Sequence, residues 1–340
     1  MKETLDYIFD LAKKILSIPS PSGYCREVID FVSNEADKMG FKVERTVKGN
    51  ALIKVKGTGN LTLGLSAHVD TLGAMVKSIT SDGYLRFTTI GGPIWPTLDG
   101  EYVMIRTRTG KKYDGTFLST SPSVHVYKDA MSKERTPDSM MVRIDETVHS
   151  KDDVIKLGIA PGDFIFIDPK TTITDSGYIK SRFLDDKISV AILYGLLKEI
   201  SENRVKPKMN LEIIISTYEE VGHGAASLPH VDELIAVDMG CVGDDLSCTE
   251  EMVSICCKDS TGPYDYDVVT RLVESAKVIK ADYATDIYPF YGSDVSSALR
   301  AGHDVKGGLI GPGVHASHGM ERTHRKGIEN TLKLLISYIS

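Results

Sequence analysis

Three short, almost uninterrupted apolar runs constrain this chain most: LTLGLSA at 61–67, LEIIIST at 211–217 and ELIAV at 233–237. Strands that read this way, without polar alternation, have both faces covered, as in a parallel sheet between layers of helix. Segments at helical spacing surround them. Residues 4–17 and 24–39 read as amphipathic helices on either side of a Pro-Ser-Pro-Ser-Gly break. DDKISVAILYGLLKEI carries a stripe at 188, 191, 192, 195, 196 and 200, opened by acidic residues, and GIENTLKLLISYI closes the chain as a helix. FKVERTV and NALIKVKG add shorter strands. From about 76 to 170 the texture changes to alternating segments, GYLRFTTI, YVMIRTRTG, MMVRID and DFIFIDP, broken by Gly, Pro and Asp turns and without a useful helical period. The expected fold is therefore α/β, with a mixed, largely parallel sheet flanked by helices and an inserted small β-barrel-like domain. Residues 1–75 and 171–340 form the main domain, and 76–170 the insertion.

Length agrees, because 340 residues exceed the usual single core. The 41% hydrophobic and 26% charged content excludes wholesale disorder. Lys and Arg number 40 against 47 Asp and Glu, a net charge of −7, which argues against a nucleic-acid partner. Near the N-terminus Asp6, Asp10, Lys13 and Lys14 interrupt the apolar positions Leu5, Ile8, Phe9, Ala12, Ile15 and Leu16, so this is no secretory signal. No apolar run approaches the roughly 20 residues that span a bilayer. A cytoplasmic protein without a membrane partner is expected. Five cysteines, an odd count, do not suggest a disulfide framework. Cys241, Cys248, Cys256 and Cys257 cluster but lack the paired CxxC spacing of a structural zinc site, so idle or buried thiols are expected.

The chemistry collects where the strands end. LTLGLSA runs into His68 and Asp70, LEIIISTY into Glu219 and Glu220, and ELIAV into Asp238. Carboxyl ends of strands are where open α/β sheets place ligands. Asp185 and Asp186 open a helix, and His315, His318 and His324 lie in the loop before the last one. Taken singly, a histidine at a strand end is an ordinary loop residue, an Asp at a helix start is a cap, and paired glutamates are solvated. Taken together, this Glu/Asp/His set suits zinc or another first-row divalent ion. Two neighbouring carboxylates ending a buried strand also repel unless a positive charge lies beside them.

HVDTLG, FLDDK, TYEEVGHGAA, AVDMG, YGSD and SHGMERTH, in this order, resemble the metallo-aminopeptidases of peptidase family 42 in clan MH, the glutamyl and deblocking aminopeptidases. The resemblance spans nearly the whole chain, including PGDFIFIDP before the return to the main domain. It implies a zinc-peptidase-like catalytic domain holding two divalent ions per subunit, zinc or cobalt, with manganese also compatible. His68, Asp185, Glu220, Asp238 and His318 match the metal ligands, with Asp185 shared between the ions. Asp70 matches the carboxylate that orients His68, and Glu219 the general base. Ser293 and Asp294 of YGSD match an element near the substrate, although a helix cap explains them equally well. Thr71 and Leu72 depart from the commoner HxDEIG form, which leaves the ligands intact but alters the pocket near the substrate amine.

The implied activity is removal of N-terminal residues from short peptides. The β-rich insertion resembles a dimerisation domain, which implies homo-oligomers in which dimers build a dodecamer. Two alternatives compete: a related dimetal deacylase or carboxypeptidase, and a non-catalytic oligomeric scaffold. The scaffold reading expects a lost ligand or base, whereas all are present. Neither side-chain preference nor metal identity is readable from these residues.

Overall fold

The computed structural model describes every residue from Met1 to Ser340. The chain divides into two compact units, one of residues 1–71 and 170–340, the other of residues 72–169.

In the larger unit, the three apolar runs become Thr62–His68, Asn210–Ser216 and Glu233–Val237, and they are neighbours. Asn210–Ser216 and Glu233–Val237 flank Thr62–His68 in parallel, and Lys306–Val314 continues the parallel order beyond Glu233–Val237. Ala51–Val55 on one side and Val253–Asp259 on the other run antiparallel to the centre. The sheet is thus mixed and largely parallel at its middle, as the buried character of its strands requires. Register levels the ends: Ser216 lies opposite His68, so the residues that follow both strands emerge side by side.

Helices supply the covering layers. Lys2–Leu16 buries Leu5, Ile8, Leu11, Ala12, Ile15 and Leu16, and packs on Leu184–Ser201, which in turn packs on the His68 strand. The helix Leu184–Ser201 differs from its amphipathic reading, since it is buried on all sides from Leu184 through Leu197. Gly195 marks where it crosses the N-terminal helix: a Cβ there would lie 2.5 Å from the Ile8 side chain. Arg325–Ile339 closes the unit, packed on Lys306–Val314.

The smaller unit is a closed six-stranded barrel, in the order Gly73–Ile79, Leu85–Ile90, Met140–Ile144, Lys112–Ser119, Tyr102–Arg106, Phe164–Ile167 and back to the first. Alternation explains it, because inward positions such as Leu85, Phe87, Val103, Ile105, Phe117, Val142 and Ile165 are buried. Phe87 packs against Trp95 and Phe117 at 4.8 Å between ring centroids. One helix lies where none was expected, Lys151–Leu157, capped by Ser150 and stopped by Gly158 at φ 88°. Seven residues are too short to show a period, so its only sequence signals are the cap and the stop. No helix is long and apolar enough to cross a membrane.

Candidate active site

His68 is the last residue of its strand and is buried. Its Nδ1 lies 2.9 Å from the backbone carbonyl oxygen of Asp70. With Nδ1–H donated to that carbonyl, Nε2 faces Asp185 Oδ1 at 3.1 Å and Glu219 Oε2 at 3.6 Å. Burial opposes a charge on the ring, but Asp185, Glu219, Asp70 and Asp238 outweigh it and raise the His68 pKa well above the histidine range.

Asp70 is fully buried, and its carboxylate stands 3.5 Å from His68 Nδ1. Its short bonds go elsewhere. It accepts from Ser22 Oγ at 2.5 Å and from the backbone amides of Glu219 at 3.1 Å and Glu220 at 3.3 Å. One side chain after the His68 strand therefore fixes the start of the 3₁₀ turn Glu219–Val221, which carries both glutamates.

Asp185 and Asp186 do not cap the helix they open. Phe183 is in the left-handed region, both aspartates have non-helical dihedrals, and no side-chain cap bond forms. Asp185 lies between two histidines, with Oδ1 3.1 Å from His68 Nε2 and Oδ2 3.6 Å from His318 Nε2. Burial acts against its charge, yet His318 and His68 hold its pKa well below the carboxylate range. Asp186 turns back, accepting the His68 amide at 3.2 Å on Oδ2, while its Oδ1 is buried without a partner.

Glu220 Oε2 is 3.6 Å from His318 Nε2, and its Oε1 is another buried oxygen without a partner. Burial, then the charge of Asp185, pushes the Glu220 pKa well up; burial also lifts Glu219, with Asp238, Asp294 and Glu220 adding to it against His68. Asp238 follows the strand Glu233–Val237 and is pushed up to about 7 by burial and by Asp185. Its backbone presses so closely on the next strand that a Cβ at Gly311 would sit 1.4 Å from the Asp238 carbonyl oxygen, so only glycine fits there.

Of the three candidate histidines only His318 turns its ring to these carboxylates. His324 caps the last helix by accepting the Lys326 amide, and His315 joins an antiparallel bridge to Arg322. Ser293 caps the helix Asp294–Arg300 through a capping box and lines the cavity, while Asp294 accepts from Ser216 Oγ at 2.7 Å with its Oδ1 unpartnered. The cavity, about 250 Å³, is floored by Asp185, Glu219, Glu220 and Asp238 and walled by Tyr291, Arg300 and His318.

Sequence reading missed Glu321. It is buried beneath the floor, accepting the amides of Asp185 at 3.0 Å and His318 at 2.9 Å. The ER pair in SHGMERTH was the available signal, but bonds to backbone leave no side-chain pattern to read. The cysteines are free: Cys25, Cys248 and Cys256 are buried, and burial raises the pKa of each thiol.

Whether this pocket suits a cation follows from its own atoms. Donor atoms of His68, Asp185 and Glu220 lie within 4.8 Å of one another, as do those of His68, Asp186 and Asp238. Buried carboxylate oxygens without partners, each costing about 1–3 kcal/mol if left unmade, sit among mutually repelling neighbours. The nearest buried lysine, Lys187, donates instead to the Ile15 and Ile18 carbonyls. Nitrogen and oxygen donors in this arrangement fit a first-row divalent ion.

Residues 49–334 match the M42 glutamyl aminopeptidase family. YhfE of Bacillus subtilis is 46% identical over 334 residues, covering 97% of this chain and 96% of YhfE. The TET aminopeptidase of Thaumarchaeota archaeon SCGC AB-539-E09 shares the fold with a TM-score of 0.89 at 20% identity, covering 98% and 96% of the two chains. The TET1 peptidase of Pyrococcus horikoshii does so with 0.85 at 22%, covering 98% and 99%. With a family match running through nearly the whole chain and a relative aligned end to end, this chain belongs to the M42 glutamyl aminopeptidase family of peptide hydrolases.

Proposed function

We propose that the chain removes N-terminal residues from short peptides, with two divalent ions, zinc or cobalt, held by His68, Asp185, Glu220, Asp238 and His318, and with Glu219 as general base. The observation that carries this reading is the convergence of those six side chains from five separate segments, five of them lining one cavity and His68 buried against Asp185 and Glu219. Divalent ions bound there supply Lewis-acid polarisation of the scissile carbonyl and acidify water. Asp185, open to both histidines through its two oxygens, is the natural shared ligand. Asp70 keeps Glu219 and Glu220 in place through their amides.

Glu219 takes a proton from the attacking water and gives it to the leaving amine. Its raised pKa brings a carboxylate closer to neutrality, which suits a group that must both accept and return a proton. A free, uncharged α-amine offers a ligand to an ion held there, which an acylated nitrogen does not. Mass spectrometry of a free-amine peptide mixture beside its N-acetylated copy, with metal-reconstituted protein, tests this. Stepwise loss from the free set alone is expected. Cleavage of the acetylated set instead replaces the reading by a deacylase, and no cleavage with metal bound replaces it by a scaffold.

The barrel unit pairs subunits, and the pairs build a closed dodecamer in the cytoplasm that admits short peptides only. Two features support this. Val124, Val126 and Met131 stand 67%, 73% and 89% exposed on that unit, an apolar set without cover. The TET1 peptidase of Pyrococcus horikoshii assembles into a tetrahedron or a large octahedral shell. Light scattering should return the mass of a dodecamer, and Val126→Asp with Met131→Asp should reduce it; a monomeric wild-type protein refutes the assembly.

A further inference from the structure

We propose that Glu321 is a positioning residue for the metal centre, its carboxylate setting the separation of Asp185 and His318 by holding both of their backbone amides; this rests on the metal-site reading above. Glu321 begins the strand Glu321–His324, which pairs with Tyr178–Ser181 so that Glu321 lies opposite Ser181. The chain leaving Ser181 reaches Asp185 four residues on, and the chain entering Glu321 has just passed His318. One buried side chain thus stands between the two segments. Its Oε2 accepts the Asp185 amide at 3.0 Å and its Oε1 the His318 amide at 2.9 Å.

Neither amide is held by regular structure. Asp185 has φ −70° and ψ 101°, outside the helix that follows, and His318 has φ 63°, in the left-handed region that is uncommon for residues other than glycine. Their side chains nevertheless meet, with His318 Nε2 3.6 Å from Asp185 Oδ2. Charge points the same way. A buried carboxylate bonded to the amide of Asp185 is a poor device for fold stability, because burial and a neighbouring like charge both act against it. A dication held by Asp185 and His318 offsets that repulsion and turns the same charge into an aid to binding.

Two substitutions separate positioning from charge. Glu321→Gln keeps the shape but has one acceptor oxygen, and its amide nitrogen confronts one of the two N–H donors. Glu321→Asp keeps the charge but is one methylene short of reaching both amides. Metal-stripped full-length protein would be titrated with Zn²⁺ by calorimetry, and Co²⁺ loading followed by its visible absorption, which reports ligand geometry. Both variants should bind Zn²⁺ about 10- to 100-fold more weakly than wild type, as loss of a group orienting a ligand does. Their Co²⁺ spectra should shift, and peptidase activity should recover as Zn²⁺ is raised, with the peptide KM unchanged.

Wild-type affinity and spectrum in both variants overturn the inference, and so does wild-type behaviour of Glu321→Asp alone, which would leave charge as the whole effect. If Glu321→Gln does not fold, Glu321→Asp decides by the same readouts. Failure of the wild-type protein itself to bind Zn²⁺ is a different result, refuting the metal centre and this inference with it.

Discussion

Replacing Glu219 by Gln should lower turnover of a free-amine peptide by about 10²- to 10⁴-fold, the range for loss of a general base, while Zn²⁺ titration stays near wild type. The geometry explains why the two effects separate. Glu219 Oε2 is 3.6 Å from His68 Nε2, yet Glu219 belongs to neither group of donor atoms within 4.8 Å of one another. What holds residue 219 in place is its own amide on Asp70, and that bond survives the change to Gln. Gln has nearly the shape of Glu and no capacity to take a proton at neutral pH. His68→Ala is the contrasting case. It removes a member of both donor groups, so metal occupancy should fall first and activity with it. Most activity surviving in Glu219→Gln would remove Glu219 from the role assigned to it.

Stripping the metal should destabilise the protein increasingly as pH rises. Asp238 and Glu321 are pushed up to about 7 and about 8 from ordinary values of 3.8 and 4.5, by burial first and then by Asp185. Between the unfolded and folded values of such a group, the native state binds the proton and the unfolded state does not. Stability then falls as pH rises through that window, from about 4 to about 8. His68, raised above 6.5 despite its burial, acts in the same direction, since its contribution is present below the unfolded value and lost as pH passes the folded one. Asp185, held low by His318 and His68, titrates below this window and leaves its slope unchanged, whereas Asp186, Glu219 and Glu220, all raised, add to it. The metal-free protein should therefore melt at lower temperature at pH 8 than at pH 5. Zn²⁺ at a thousandfold excess over its Kd should restore about 4 kcal/mol for each site it fills. A melting temperature that is flat across this range, or unmoved by Zn²⁺, contradicts the account.

How much of this was legible depended on what kind of bond did the work. Central strands announced themselves through unbroken apolar runs, and the alternating texture of the barrel did the same, because burial acts on side chains and side chains are the sequence. Lys306–Val314 hid in plain view. KGGLIGPGV drew no strand assignment, having four glycines and a proline in nine residues, yet it lies in the parallel core, and its Gly311 is there because the Asp238 carbonyl leaves no room for a Cβ. Val253–Asp259 was masked by its cysteines, which drew attention as thiols when Cys256 is simply a buried strand residue. At the site, Asp185 over Asp186 and His318 over His315 and His324 were beyond spacing alone. The three histidines differ in what their surroundings bond: His324 caps a helix, His315 pairs with Arg322, and only His318, at φ 63°, brings its ring to Asp185.

Asp70 has a genetic consequence. Two of its partners are the amide hydrogens of Glu219 and Glu220, which every residue except proline possesses. Position 70 can therefore be lost by mutation, but no substitution at 219 or 220 supplies a new side-chain partner to rescue it. A suppressor screen starting from Asp70→Ala can draw on a contacting side chain such as Ser22 but not on this turn, and pairwise covariation between 70 and the turn should be silent, however tightly the two are bound.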